Sequence, residues 1–241
     1  MKTSVTLNGR TYNGIDRFIL DGKIFKFTGE IPEGYTAIKG IKNPNSAYID
    51  IGIPILSTDI VELSFNYDDV NNAVGIIFGW RVSGTGMDGN QCLVSKGEVR
   101  EDSQSPTYIG HMAVIGKGIR GDYLDGKTNV FDDRDTTISI NFATPSVYVN
   151  GAEIDVPLDI SKAFNNGSSV FNPILFGLNN AGTPAGLKDF LETRLYGFSV
   201  IRNGEYVVEM LPVKKTDGTI GMYDIARGQF FGSANANVFT E

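Results

Sequence analysis

Short runs in which apolar and polar side chains alternate dominate the chain, and Gly, Asn and Asp separate them. A period of two is a strand period, because successive side chains point to opposite faces. Four of these runs are paired across two-residue turns. Val5-Thr6-Leu7 and Arg10-Thr11-Tyr12 flank Asn8-Gly9, and Arg17 to Leu20 and Lys23 to Phe27 flank Asp21-Gly22. Further on, Ser146 to Val149 and Ala152 to Val156 flank Asn150-Gly151, while Tyr196 to Ile201 and Glu205 to Met210 flank Asn203-Gly204. Asn-Gly and Asp-Gly tolerate the positive φ angles of a type I′ turn, so each pair predicts an antiparallel hairpin.

Between the hairpins, the same alternation predicts strands over 47–51, 60–67, 74–82, 91–94, 107–115, 136–142 and 174–178. One stretch competes for helix: Leu187, Phe190, Leu191, Arg194 and Leu195 recur at helical spacing. The β-branched and aromatic residues that follow without a helix stop favour a strand over 192–201 instead. A dozen or so short strands suit an all-β, antiparallel two-sheet sandwich of jelly-roll type. The segment Thr28-Gly29-Glu30-Ile31-Pro32-Glu33-Gly34 reads as the boundary between a small β-hairpin module, 1–30, and the sandwich domain, 31–241.

Composition narrows the chemistry. Glycine supplies 29 of 241 residues, well above the usual share of about 7%, which fits a chain of many tight turns. One Cys and one His cannot build a four-ligand zinc site, an intramolecular disulfide or a dithiol redox pair. A net charge of −7 argues against a general nucleic-acid binder, which needs a basic surface. No apolar run reaches the length of a membrane span, and the first residues lack a secretory signal, so the expectation is synthesis in a bacterial cytoplasm.

Several motif matches fail on context. Gly121 to Thr128 fits the P-loop letters, yet Asn129-Val130-Phe131-Asp132 follows where a helix must begin, and Asp122 and Asp125 would face the phosphates. Gly84-Thr85-Gly86-Met87-Asp88-Gly89 fits the dinucleotide fingerprint but leads into a strand-like run. Arg120-Gly121-Asp122 spells an integrin tripeptide in a chain with no visible export signal. His111 has no serine elbow to serve, and Cys92 beside Leu93 and Val94 reads as a small core residue. Asp132, Asp133 and Asp135 read as turn residues, with Ca²⁺ ligation the alternative. No Glu-x-Asp-x-Glu pattern of a sandwich-fold glycosidase is present. The expectation is therefore no catalytic residues, no cofactor and no metal. Trp80 and Arg81 remain as candidate ligand-binding residues, a stacking ring beside a guanidinium, set against plain core packing for the tryptophan.

Two segments carry a resemblance. Ile31-Pro32-Glu33-Gly34-Tyr35-Thr36-Ala37-Ile38 leads to Ala47-Tyr48-Ile49-Asp50-Ile51-Gly52-Ile53, with Ile51 where Thr is usual. Near the other end, Arg194 to Val200 and Asn203 to Val213 precede Gly218-Thr219-Ile220-Gly221-Met222-Tyr223-Asp224, then Gly228-Gln229-Phe230-Phe231 and Val238-Phe239-Thr240. Together these resemble the opening and closing signatures of the concanavalin-like (laminin-G-like) jelly-roll domains of tailed-phage and prophage virion proteins. The resemblance implies framework roles: tight turns at Gly221 and Gly228, a turn cap at Asp224, and Phe230, Phe231 and Phe239 filling the sandwich edge. It implies a non-enzymatic head fibre, tail fibre or capsid decoration protein of a virion, homotrimeric, contacting other virion proteins and a host-surface glycan. A free bacterial carbohydrate-binding lectin is the rival reading, and a glycoside hydrolase on the same scaffold the third.

Overall fold

A computed structural model of the 241-residue chain describes residues 31–44, 46–66, 76–81, 92, 94, 135–153, 164–185 and 194–241 in full, and further strands by position and pairing alone. The first two hairpins form where the alternation places them. β1 (Ser4–Leu7) pairs with β2 (Arg10–Asn13), and β3 (Arg17–Leu20) with β4 (Lys23–Lys26), each as its own two-stranded sheet. Their Asn-Gly and Asp-Gly turns lie outside the described residues.

The sandwich begins with β5 (Tyr35–Ala37), β6 (Ile41–Asn43), β7 (Ile49–Asp50), β8 (Ile60–Tyr67), β9 (Gly75–Arg81), β10 (Gln91–Gly97) and β11 (His111–Gly116). Next come β12 (Asp135–Asn141), β13 (Ser146–Val149), β14 (Ala152–Ile154), β15 (Ile174–Leu175), β16 (Leu178–Asn180) and β17 (Thr183–Ala185). It closes with β18 (Phe190–Arg202), β19 (Glu205–Lys215), β20 (Ile220–Asp224) and β21 (Gln229–Phe231). From Phe190 onward the ambiguous stretch is a strand, Leu187 lies outside the described residues, and the described residues contain no helix. A larger, ten-stranded sheet runs β14-β13-β12-β8-β18-β19-β20-β21, with β5 added to β19 and β6 to β18. A smaller, seven-stranded sheet runs β11-β10-β9-β15-β7, with β16 beside β9 and β17 beside β16. Among the described strands, pairing is antiparallel except between β16 and β9.

Local chemistry explains the hairpins. Asn150 and Gly151 have φ of 52° and 82°, and Asn203 and Gly204 repeat those values, the double positive φ of a type I′ turn. Asn150 adds a tie, its Oδ1 accepting the Thr137 N–H at 2.9 Å. Alternation then sets the layers. Along β12, Thr136, Ile138 and Ile140 are buried, and on β8 Val61, Leu63 and Phe65 are fully so. The two sheets meet through aromatic rings: Phe78 of β9 lies 5.4 Å from Phe198 of β18, centroid to centroid, and Trp80 lies 6.1 Å from Phe142. This core is ordinary sandwich packing of interdigitated inner faces.

The predicted strand over 174–178 is broken in two. Phe176 takes φ +61°, which a bulky residue adopts only under constraint. Its N–H donates to the Ile77 carbonyl at 2.6 Å, and its buried ring packs 5.6 Å from Phe239. The chain reverses there, so β15 runs antiparallel to β9 against Phe78 and Gly79, whereas β16 returns parallel to it against Trp80 and Arg81.

Candidate functional site

Neighbouring residues on a strand face opposite ways, and Trp80 and Arg81 obey that rule. Trp80 is fully buried, its ring 5.9 Å from Phe78, 5.6 Å from Phe164 and 6.1 Å from Phe142. No face of the indole is open for a sugar to stack on, so the structure assigns Trp80 the core-packing role. It does not join Arg81 in one platform.

Arg81 is half-buried on the other face, at the end of β9. Its Nε–H donates to Asn180 Oδ1 at 3.1 Å. Cross-strand register explains the contact: Arg81 stands opposite Asn180 of β16, and Asn180 stands opposite Thr183 of β17, so the three side chains form a row on one face. The β16–β17 turn that carries this row is firmly held. Ala181, at φ +53°, donates its N–H to the Arg81 carbonyl at 2.8 Å. Asn179 Oδ1 accepts the Gly182 N–H at 2.9 Å, and its Nδ2 donates to the Asn172 carbonyl at 2.8 Å. Phe171, half-buried, comes close to Gly182: a Cβ on that glycine would lie 3.7 Å from Phe171 Cε1.

The other candidates sort by burial or fall outside the described residues. Cys92 is 2% exposed and burial pushes its thiol up to about 12, so it behaves as the core residue its neighbours suggest. Asp135 accepts from Asn66 Nδ2 at 3.0 Å, across the β8–β12 ladder. Asp132, Asp133, the Gly84–Gly89 and Gly121–Thr128 motifs and the Arg120-Gly121-Asp122 tripeptide lie outside the described residues, and of His111 only its place at the head of β11 is given. Among the described residues no group of three or more His, Cys, Asp or Glu is placed to hold a metal ion.

Two buried aspartates, neither singled out for an ion pair beforehand, bind arginines. Asp59, fully buried, accepts Arg202 Nε and Nη2 through its two oxygens, each at 2.9 Å, and Arg202 Nη2 also reaches the Pro54 carbonyl at 3.1 Å. The side-chain hydrogen bond to Asp59 holds the guanidinium above its ordinary range. Asp224 caps its turn as expected, Oδ1 accepting the N–H groups of Ala226 at 3.0 Å and Arg227 at 3.3 Å. The same oxygen takes the Glu209 N–H at 3.0 Å, and Arg227 Nε donates to Oδ2. Arg227 also lies over the Phe231 ring, 4.6 Å from its centroid.

The closing signature needs one correction. Gly228 has φ +67°, the turn conformation expected of it, but Gly221 lies within β20. A Cβ at Gly221 would stand 2.6 Å from Phe230 Cζ, so this glycine makes room for the ring laid across it. Phe230 consequently sits beside Tyr35 and under Lys215, whose Nζ is 4.0 Å from the ring centroid, while Phe239 is buried and Phe231 packs partly against the core.

No family model matches the chain, and no curated protein matches it. Among solved structures, it is similar to one described as "NanB plus Optactamide", at 14% identity and a TM-score of 0.36, over 84% of this chain. The chain spans 37% of that one's length. Its own geometry gives the firm statement: this is an all-β, antiparallel two-sheet sandwich with an arginine held at the end of its smaller sheet.

Proposed function

We propose that the chain is a non-enzymatic structural and recognition protein of a phage particle, a concanavalin-like jelly roll displayed as a head fibre, tail fibre or capsid decoration. The observation that carries this reading is that the two segments bearing the resemblance, nearly the length of the domain apart in sequence, converge on one corner. Tyr35 packs 5.0 Å from Tyr223 and 5.7 Å from Phe230. Ala37 pairs with Val213, Ile38 donates to the Pro212 carbonyl at 3.1 Å, and Lys42 exchanges both backbone hydrogen bonds with Thr240. Ala234 N–H reaches the Tyr48 carbonyl at 2.8 Å, and Asn235 Nδ2 reaches that of Ser46 at 2.9 Å. Signature residues that close one substructure support a shared architecture better than either segment alone.

In this reading residues 1–30 are the anchoring and oligomerisation module, the partners are other virion proteins and a host-surface glycan, and the assembly is a homotrimer. Mass spectrometry of purified particles from the host, together with light scattering on the isolated chain, tests it. The expected result is stoichiometric incorporation and a trimer. A monomer absent from every particle overturns the reading. A free carbohydrate-binding lectin is the second reading, favoured by the guanidinium edge that Arg81 presents at the surface; saccharide binding by a chain absent from particles would select it.

A further inference from the structure

The described arginines fall into different electrostatic settings. Arg202 and Arg227 each meet a fully buried aspartate. Arg81 is tied instead to a neutral amide, through Nε alone, and among the described residues its two Nη groups have neither hydrogen bond nor carboxylate. A guanidinium carries five N–H donors and no acceptor, so four remain available on a planar edge whose direction Asn180 has already fixed.

The amide that fixes it is itself oriented by the contact. Because Arg81 Nε can only donate, Asn180 must present Oδ1 to it, which leaves Asn180 Nδ2 as a second donor beside the guanidinium. Thr183, an exposed residue carrying a hydroxyl, is next in the row. The row therefore offers donors at one end and a donor-acceptor hydroxyl at the other. The turn beneath it is secured by the Ala181, Gly182 and Asn179 hydrogen bonds, so little ordering cost is left for a ligand to meet.

Resting on the recognition reading above, we infer that Arg81, Asn180 and Thr183 form a binding site for a carboxylate carried on a saccharide, as in a uronic acid residue. A planar fork matches a carboxylate through two parallel hydrogen bonds. The neutral Asn180 and Thr183 groups, one strand spacing apart, suit the hydroxyls that flank a sugar carboxylate, and the half-buried Phe171 by the turn offers an apolar neighbour to a sugar ring. With a net charge of −7 the chain has no general attraction for polyanions, so recognition of one depends on a local fork of this kind.

Calorimetric titration of the full-length chain tests the assignment with oligogalacturonate, oligoglucuronate and alginate oligosaccharides, each beside its carboxyl-reduced neutral counterpart, and with a glutamate-rich peptide as the competing source of carboxylate. At least one uronate should bind, its reduced form about tenfold or more weaker. Arg81→Ala and Arg81→Lys should each lose about tenfold or more, and Asn180→Ala less, with unchanged circular dichroism and melting temperature showing that the variants are folded. Equal binding of the reduced forms, unchanged affinity in Arg81→Ala, preference for the peptide, or no uronate binding would each overturn it. Binding of neutral glycans independent of Arg81 would overturn the carboxylate assignment and leave the recognition reading standing. Absence of the chain from particles would do the reverse.

Discussion

The corner where the opening and closing segments meet and the end of the smaller sheet both contain a half-buried arginine, and they use it in opposite ways. At the corner, Arg227 is neutralised by Asp224, whose Oδ1 also gathers three backbone N–H groups, so every strong interaction points inward. At the end of β9, Arg81 has one neutral hydrogen bond and keeps the rest of its donors outward. The same side chain thus serves as a rivet in one place and as a receptor in the other. The difference lies in whether a carboxylate from the fold already meets the guanidinium, since a buried pair broken on one side is costly while a half-buried cation whose remaining donors are not sealed from water is not.

That contrast can be broken by substitution. The largest effect belongs to the smaller sheet's inner face: Trp80→Ala should lower unfolding stability by about 3–5 kcal/mol in urea titrations, because it empties the space between Phe78, Phe142 and Phe164. A loss under 1 kcal/mol would mean that the indole is not in the core. Next, Asp224→Ala should cost about 3 kcal/mol, as it strands the Arg227 cation and the buried Glu209 N–H together. If it proves as mild as a surface change, the rivet description of this corner is wrong. A smaller effect follows from Cys92. Its thiol is raised by burial from an ordinary 9.0 to about 12, so its contribution is intact below 9 and declines as rising pH ionises the unfolded chain's thiol. Between pH 9 and 10 the wild type should lose about 1 kcal/mol more than Cys92→Ala, and equal losses would refute the burial. Smallest of all, Arg81→Ala should change stability by less than about 0.5 kcal/mol. A value near that of Asp224→Ala would make Arg81 a framework residue and remove the distinction.

How much of this was legible beforehand depended on the range of the interaction. β8 runs over Ile60–Tyr67 as the alternation places it, and the Asn-Gly turns at 150–151 and 203–204 have the φ angles their residues favour. Both are short-range facts. The break at Phe176 was not readable, since nothing local asks a phenylalanine for φ +61°; its ring and N–H are held there by Phe239 and Ile77. Likewise Asn180 could not be joined to Arg81 across 99 positions by any local pattern. The pairing of Trp80 with Arg81 in one platform was different in kind. Strand alternation already forbade it, because the run that made them strand residues also turned them to opposite faces.

The bridge between Lys42 and Thr240 has a further consequence, for the time at which the protein can form. Strand β6 contributes Ile41, fully buried, yet a backbone partner of the next residue, Lys42, is supplied by Thr240, far along the sequence. A ribosome must therefore deliver the chain through Thr240 before this corner can shut, and the ring of Phe176, which packs on Phe239, waits with it. Contacts this distant in sequence slow folding and lengthen the interval in which a nascent chain is open to association. If such a chain is to be assembled beside identical copies, that interval is when neighbouring molecules can exchange strands, and closing the corner ends it.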